Sequence, residues 1–201
     1  MAQYFEYNPN LKSEIREIKY TFKGNELTFN VDNGVFSKER VDFGTNVLLN
    51  SLPDLKGFKS ILDMGCGYGV IGLSLAKAYK GSFVTMVDVN QKAVELAQEN
   101  SKKNRITNVN IVCSNLYEYA SEDDMYDCII SNPPIRAGKE IVHGVAKNGF
   151  LHLNKGGKIL LVIQKKQGAP SMEKLLIEVF GNVKTLNKVN GYFIFESTKE
   201  I

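Results

Sequence analysis

No apolar run in this chain approaches the roughly 18–20 residues that a membrane-spanning helix needs. The opening segment, MAQYFEYNPNLKSEIREIKY, has early acids and no apolar centre, which argues against a secretory signal peptide and makes the cytoplasm the expected location. Cysteine is scarce: Cys66, Cys113 and Cys128 form no C-x-x-C pair, so neither a redox couple nor a zinc site is expected. Each lies in or beside an apolar run, and all three are expected to be buried free thiols. Histidine is scarcer still. His143 and His152 fall nine residues apart on one predicted helix, a spacing that does not suggest metal ligation, and no metal is expected. Net charge is only +3, so a case for an anionic partner must come from where the charges sit. Repeats, low-complexity tracts and a second-domain linker are also missing. What remains is a 201-residue chain, 43% hydrophobic and 23% charged, that suits one globular domain spanning residues 1–201.

Within that domain, residues 1–58 look like an appendage and lead-in helix, and 59–201 like the core. Short apolar, β-branched runs at 60–64, 83–89, 109–114, 126–131 and 158–164 alternate with helix-like segments at 69–80, 91–104, 139–153 and 171–180. Strands of this kind suit burial on both faces, and their alternation with helices predicts a parallel sheet of βαβ units. The pattern changes at the end, where NVKTLNKV and GYFIFEST meet at Asn190-Gly191, a strong hairpin dipeptide. Near the start, REIKYTFKG and NELTFNVD can pair as a second hairpin, followed by a short helix in VDFGTNVLLNSLP. The expected fold is α/β, doubly wound and Rossmann-like.

In such a sheet, ligands sit beyond the carboxyl ends of the strands, where strand order reverses. The first core strand ends in LDMGCGYGVIG, with Gly65, Gly67 and Gly69 turning into the next helix. Their lack of Cβ atoms permits positive φ and a close ligand approach. The second strand ends at Asp88-Val89, placing a carboxylate where it can bind ribose hydroxyls. Together these features point to an adenosine-containing cofactor without deciding between NAD and S-adenosylmethionine. GYGVIG fits the dinucleotide fingerprint. Asp63, however, would repel a pyrophosphate at the helix N-terminus. It would instead welcome the α-ammonium of a methionine moiety, directly or through water. From the end of the third strand, Asn115 could read the adenine edge and Leu116 could pack on its face.

The fourth strand stops at Asn132-Pro133-Pro134. Two prolines end the ladder and stiffen the corner. The Asn132 side-chain carbonyl and the main-chain carbonyls of Ser131 and Pro133 can hold a planar –NH2 group by both hydrogens. The amine lone pair is then directed at a bound methyl donor, and the carbonyls favour the positive charge that develops on nitrogen.

LDMGCGYGVIG, Asp88 and SNPPIRAGK together resemble the class I S-adenosylmethionine-dependent methyltransferases with an N/D-P-P signature, whose targets are exocyclic or amide nitrogens. GVFSKERVDFGTNVLLNSL (34–52) is similar to an element of the "methyltransferase small" family, which includes the small-subunit ribosomal RNA guanine-N2 methyltransferases. The resemblance extends from about residue 15 onward. It implies a mostly parallel seven-stranded sheet closed by the C-terminal antiparallel hairpin. It further implies cofactor contacts from Asp63, Gly65, Gly67, Gly69, Asp88, Val89, Asn115, Leu116, Asn132 and Thr45, with Asn132, Pro133 and Pro134 holding the target amine. Phe36, Ser37 and Thr45 become walls of the pocket. Relatives place Phe or Tyr directly after N-P-P to stack on the target base; here that position is Ile135, and Phe36 is the candidate substitute.

Arg136, Lys139, Lys165, Lys166, Arg40 and Lys38 fall on segments that should rim the carboxyl ends of the strands, as an RNA-facing surface would require. A solvated scatter of lysines is the alternative. The sequence thus supports an RNA guanine-N2 methyltransferase, most readily of small-subunit ribosomal RNA, acting as a monomer or weak homodimer, with Ile135, Arg136 and Lys139 beside the substrate. Adenine N6, a protein glutamine amide, or a non-enzymatic RNA-binding role remain as alternatives.

Overall fold

The computed structural model describes residues 12–35, 37 and 39–201. Two strands, β1 (Arg16–Phe22) and β2 (Asn25–Val31), pair antiparallel as an N-terminal hairpin. Helix α1 (Phe43–Ser51) follows and leads into the main sheet. The sheet is built from β3 (Ser60–Met64), β4 (Phe83–Asp88), β5 (Val109–Cys113), β6 (Tyr126–Ser131), β7 (Leu153–Gln164), β8 (Lys184–Val189) and β9 (Tyr192–Thr198). Its order is β5-β4-β3-β6-β7-β9-β8. The first five strands in chain order run parallel, and β9 is antiparallel to both β7 and β8. The chain winds outward from β3 to β5, then returns to β6 on the other side of β3. The crevice where order reverses is therefore the β3/β6 junction.

Period-two alternation divides the apolar residues between two faces. Ile61, Val84, Met86, Cys128, Ile130, Leu160 and Ile194 face a core closed by the hairpin, α1, α2 (Val70–Ala78) and α3 (Gln91–Lys103). Leu62, Val87, Ile129, Ile159, Leu161 and Phe195 face a second core under α4 (Lys139–Leu151) and α5 (Ala169–Phe180). The expected fold and order of elements hold, and two local departures are informative. The last parallel strand begins at Leu153 rather than 158, because Tyr126 pairs with Leu153 and Gly156 N–H reaches the Lys199 carbonyl at 2.7 Å. Cys113 is exposed, whereas Cys66 and Cys128 are buried. It is the last residue of β5, an edge strand, so no further strand among the described residues flanks it on that side.

The hairpin is tied to the sheet layer by side chains that act as strand partners. Asn100 Oδ1 accepts from Asn30 N–H at 2.7 Å, and its amide donates to the Asn30 carbonyl at 3.0 Å and the Tyr68 carbonyl at 2.9 Å. One turn later, Asn104 repeats the pattern on Thr28, accepting at 2.9 Å and donating at 2.8 Å. Two carboxamides one helical turn apart thereby cap the open edge of β2, which would otherwise present unpaired backbone groups. Asn100 is fully buried. Asn100→Ala strips partners from three backbone groups and is expected to destabilise the fold by about 3 kcal/mol in urea unfolding. A loss under about 1 kcal/mol would show that the edge pairing contributes little.

Candidate active site

The loop between β3 and α2 is pinned from beneath. Gly65 and Cys66 donate their N–H groups to the Val87 carbonyl at 2.8 and 2.9 Å, and Gly67 N–H reaches Asp88 Oδ2 at 2.8 Å. The other Asp88 oxygen accepts from Asn90 N–H at 2.9 Å. Gly67 has φ +55°, and a Cβ there would meet nothing within 4 Å, so the missing side chain leaves the cleft open. Gly72 is needed for a different reason: its Cβ would lie 2.6 Å from Met86 Cγ, so it serves helix–sheet packing. The loop also leans on the hairpin and the segment after it, since Tyr68 meets the Phe29 ring edge-on and donates to the Ser37 carbonyl at 3.2 Å.

A cleft opens over these groups. Gly65, Gly67, Asp88 and Val89 form its floor on the β3/β4 side, and Asn115 and Leu116 border it from the β5 end. Thr45, Asn132, Pro133 and Pro134 close the β6 side. The structure thus brings these ten sequence-selected residues to one cavity. It leaves others outside. Gly69 lies under the loop, where a Cβ would strike Leu73 and Met86, so its place is in packing. Ile135, Arg136 and Lys139 lie beyond the cavity wall, in and after the short helical turn Ile135–Ala137. Phe36 and Lys38 lie outside the described residues. Asn115 donates its amide to Glu118 Oε1 at 2.7 Å, so that part of its hydrogen-bonding capacity is already engaged.

Asp63 departs most from expectation. It is 0% exposed and does not line the cleft. Side chains alternate along β3, and Met64 takes the cleft side, so Asp63 points behind the loop. Its Oδ2 accepts from Gly72 N–H at 2.8 Å, and Oδ1 has no partner among the described residues. Burial pushes this carboxyl up to about 7, against the Gly72 N–H that favours the anion, and the charge of Asp88 adds to the rise. Burial also raises Asp88, which three backbone N–H groups, of Asn90, Gly67 and Val89, hold back. Of these two carboxyls, Asp88 thus lines the cleft, and Asp63 lies buried behind the loop.

On the opposite wall, Asn132 donates both amide hydrogens, one to Asp42 Oδ2 at 2.9 Å and one to Thr45 Oγ1 at 2.9 Å. Its Oδ1 and the Pro133 carbonyl accept no hydrogen bond from any described residue. Asp42 is the N-cap of α1 and accepts from Thr45 N–H at 3.0 Å. Ser131 Oγ ties β6 to β3 through the Met64 carbonyl at 2.6 Å. Asp42 was given no role from sequence. Its signal was the D-x-G-T spacing, which puts a capping carboxylate three residues before the threonine that shares its task. No group of three His, Cys, Asp or Glu side chains able to hold a metal occurs among the described residues.

Known proteins are similar to this chain in both sequence and fold. The methyltransferase small domain matches residues 26–196. The uncharacterized Bacillus subtilis protein YbxB is 43% identical over 198 residues, covering 98% of each chain. Ribosomal RNA small subunit methyltransferase C of Colwellia psychrerythraea is 33% identical over 194 residues, covering 94% of this chain and 52% of its own. A T. thermophilus 16S rRNA N2 methyltransferase, solved with AdoMet and guanosine, superposes with a TM-score of 0.83 at 30% identity, covering 95% of this chain and 52% of that one. The chain spans about half the length of the ribosomal RNA methyltransferases it matches and nearly all of the Bacillus protein.

Asp63 generates a pH prediction. Its carboxyl rises from 3.8 to about 7 on folding, so between these values the folded protein binds more protons than the unfolded one. The free protein should lose stability as pH rises from about 4 through 7. Asp63→Asn should flatten that part of a melting-temperature profile; an equally steep decline in the variant would contradict the assignment.

Proposed function

The chain belongs to the methyltransferase small domain family, and we propose that it is an S-adenosylmethionine-dependent N-methyltransferase acting on RNA, with guanine N2 of small-subunit ribosomal RNA as its target. The polarity of Asn132 carries this reading. With both amide hydrogens held by Asp42 and Thr45, only the oxygen can face a ligand. That oxygen and the Pro133 carbonyl form an acceptor pair suited to a group with two hydrogens to donate, such as an aromatic amine.

The opposite side of the cleft fits the cofactor. Asp88 keeps unfilled acceptor capacity for ribose hydroxyls, Leu116 and Val89 present apolar surface for a base, and the open face of Gly67 leaves room for the rest. Bound there, S-adenosylmethionine supplies a methyl group on a sulfonium, an electrophile that needs alignment more than activation. Asn132 and Pro133 hold the amine by its hydrogens and turn its lone pair toward that methyl. Their carbonyl dipoles favour the charge that grows on nitrogen. Asp88, which lines the cleft, suits a ligand that donates hydrogen bonds or brings positive charge, since it gains a partner on ionising.

RNA as the substrate is supported by the distribution of unpaired charge. Arg136, Lys139, Lys165 and Lys166 are exposed and make no ion pair with any described residue. Lys92, Lys103 and Lys158 are paired with Asp32, Glu17 and Glu196, whereas Lys56, Lys80 and Lys184 are exposed and also make no ion pair with any described residue, so the support lies in where the first four sit. A set of free cations beside the N-P-P corner suits phosphate contacts more than a small substrate would require. The hairpin and the main sheet share one core, which supports reading the described residues as one domain; a ribosomal RNA substrate would place its work in the cytoplasm.

Asn132→Ala should bind S-adenosylmethionine within about threefold of wild type by calorimetry while transferring methyl groups to ribosomal RNA about 10²–10³-fold more slowly. Equal loss of both would remove Asn132 from the role assigned to it.

A further inference from the structure

A base held by its amine at the Asn132–Pro133 corner still needs a surface for its ring. Ile135 does not supply one: it is half-buried and packs toward the core under α4 and α5. Two aromatic side chains do stand at the corner, though neither lines the cofactor cleft. Phe43 directly follows Asp42, the residue that fixes the Asn132 amide, and is 41% exposed. Its ring meets Tyr192 edge-on, with centroids 5.4 Å apart at 61°. Tyr192 opens β9 opposite Gln164, at the carboxyl end of β7, so it lies at the ligand-binding end of the sheet.

Resting on the methyl-transfer reading above, we propose that the Phe43–Tyr192 pair is the platform on which the target base stacks, and hence a determinant of specificity for a purine. Three observations support this. Among the described residues only two aromatic side chains are large, apolar and exposed, Phe43 and Phe83. Phe83 pairs with Ser60 at the entry end of the sheet, away from the cleft, which leaves Phe43 at the ligand end. Second, the Tyr192 ring is tightly seated: a Cβ on Gly44 would lie 3.0 Å from Tyr192 Cε1 and 3.0 Å from Asp42 Oδ2. The ring and the carboxylate that orients Asn132 thus share the surface of one glycine, so base-stacking face and amine-binding carbonyl are held in fixed register. Third, the turn before Tyr192 is bound to a cationic segment, with Lys165 N–H on the Gly191 carbonyl at 2.7 Å. Lys165 and Lys166 can take the phosphates that flank a base laid on the pair. Ring face, paired acceptors and cations together make a nucleotide-shaped site, and a base must leave its stack to reach it.

The test uses 2-aminopurine riboside, which carries the 2-amino group and loses fluorescence on stacking. It is titrated into full-length protein saturated with S-adenosylhomocysteine. Wild type should quench it saturably. Phe43→Leu and Tyr192→Leu, which keep apolar bulk but lose a ring, should each weaken binding about tenfold, in line with one lost base–aromatic stack. Phe43→Tyr restores a ring and should recover most of that loss. Calorimetric affinity for S-adenosylhomocysteine should stay at the wild-type value in all variants, confirming that the fold and the cofactor cleft persist. With ribosomal RNA as substrate, the leucine variants should show the loss mainly in KM. Unchanged riboside affinity in both leucine variants, or no quenching by wild type, would overturn the platform. Failure of the underlying reading shows differently, as wild-type protein that transfers no methyl group to RNA nitrogen.

Discussion

Everything proposed for this site depends on which way one carboxamide points. An asparagine at a strand end can present either a donor or an acceptor to a ligand, and the two choices recognise opposite chemistries. Here Asp42 and Thr45 remove the choice by taking both hydrogens. The same carboxylate caps α1 by accepting from Thr45 N–H, so the helix start and the amide orientation share one anchor. A single side chain thereby links the lead-in element to the end of β6, across 90 residues of sequence. Two prolines behind Asn132 hold the backbone so that this orientation is not lost to chain motion.

The other half of the cleft follows a different logic. Asp63 and Asp88 both serve the loop backbone, one through Gly72 and one through Gly67. Both are disfavoured as anions by burial, and Asp88, the one that lines the cleft, leaves the free site electrostatically unfinished. A cationic ligand completes it, and an anionic one would worsen it. That asymmetry separates the reading from a pyrophosphate-bearing cofactor more firmly than the glycine spacing, which either class of cofactor can share.

Much of this was legible in the sequence, and the misses have physical causes. Apolar β-branched runs doubly buried in a parallel sheet announce themselves, as do Asn190-Gly191 and the Asn-Pro-Pro corner. The start of β7 was hidden because Asn154-Lys155-Gly156-Gly157 has turn composition; only its partners at Tyr126 and Lys199 hold it extended. The side taken by Asp63 was not readable, since alternation along β3 gives relative facing but not which face the loop covers. Asn100 and Asn104 looked like ordinary polar helix positions, because the strand edge they complete is about 70 residues away. Asp42 stood within a recognisable spacing, yet its partner could be named only once α1 and β6 were side by side.

The central claim is that the Asn132 corner presents an RNA purine amine for methylation. Its most direct measurement is mass-spectrometric nucleoside mapping of ribosomal and transfer RNA from cells lacking this chain, compared with their parent. The account predicts loss of N2-methylguanosine at a defined small-subunit ribosomal RNA position, restored by the wild-type chain but not by Asn132→Ala. An unchanged nucleoside profile in cells that otherwise express the protein would contradict it.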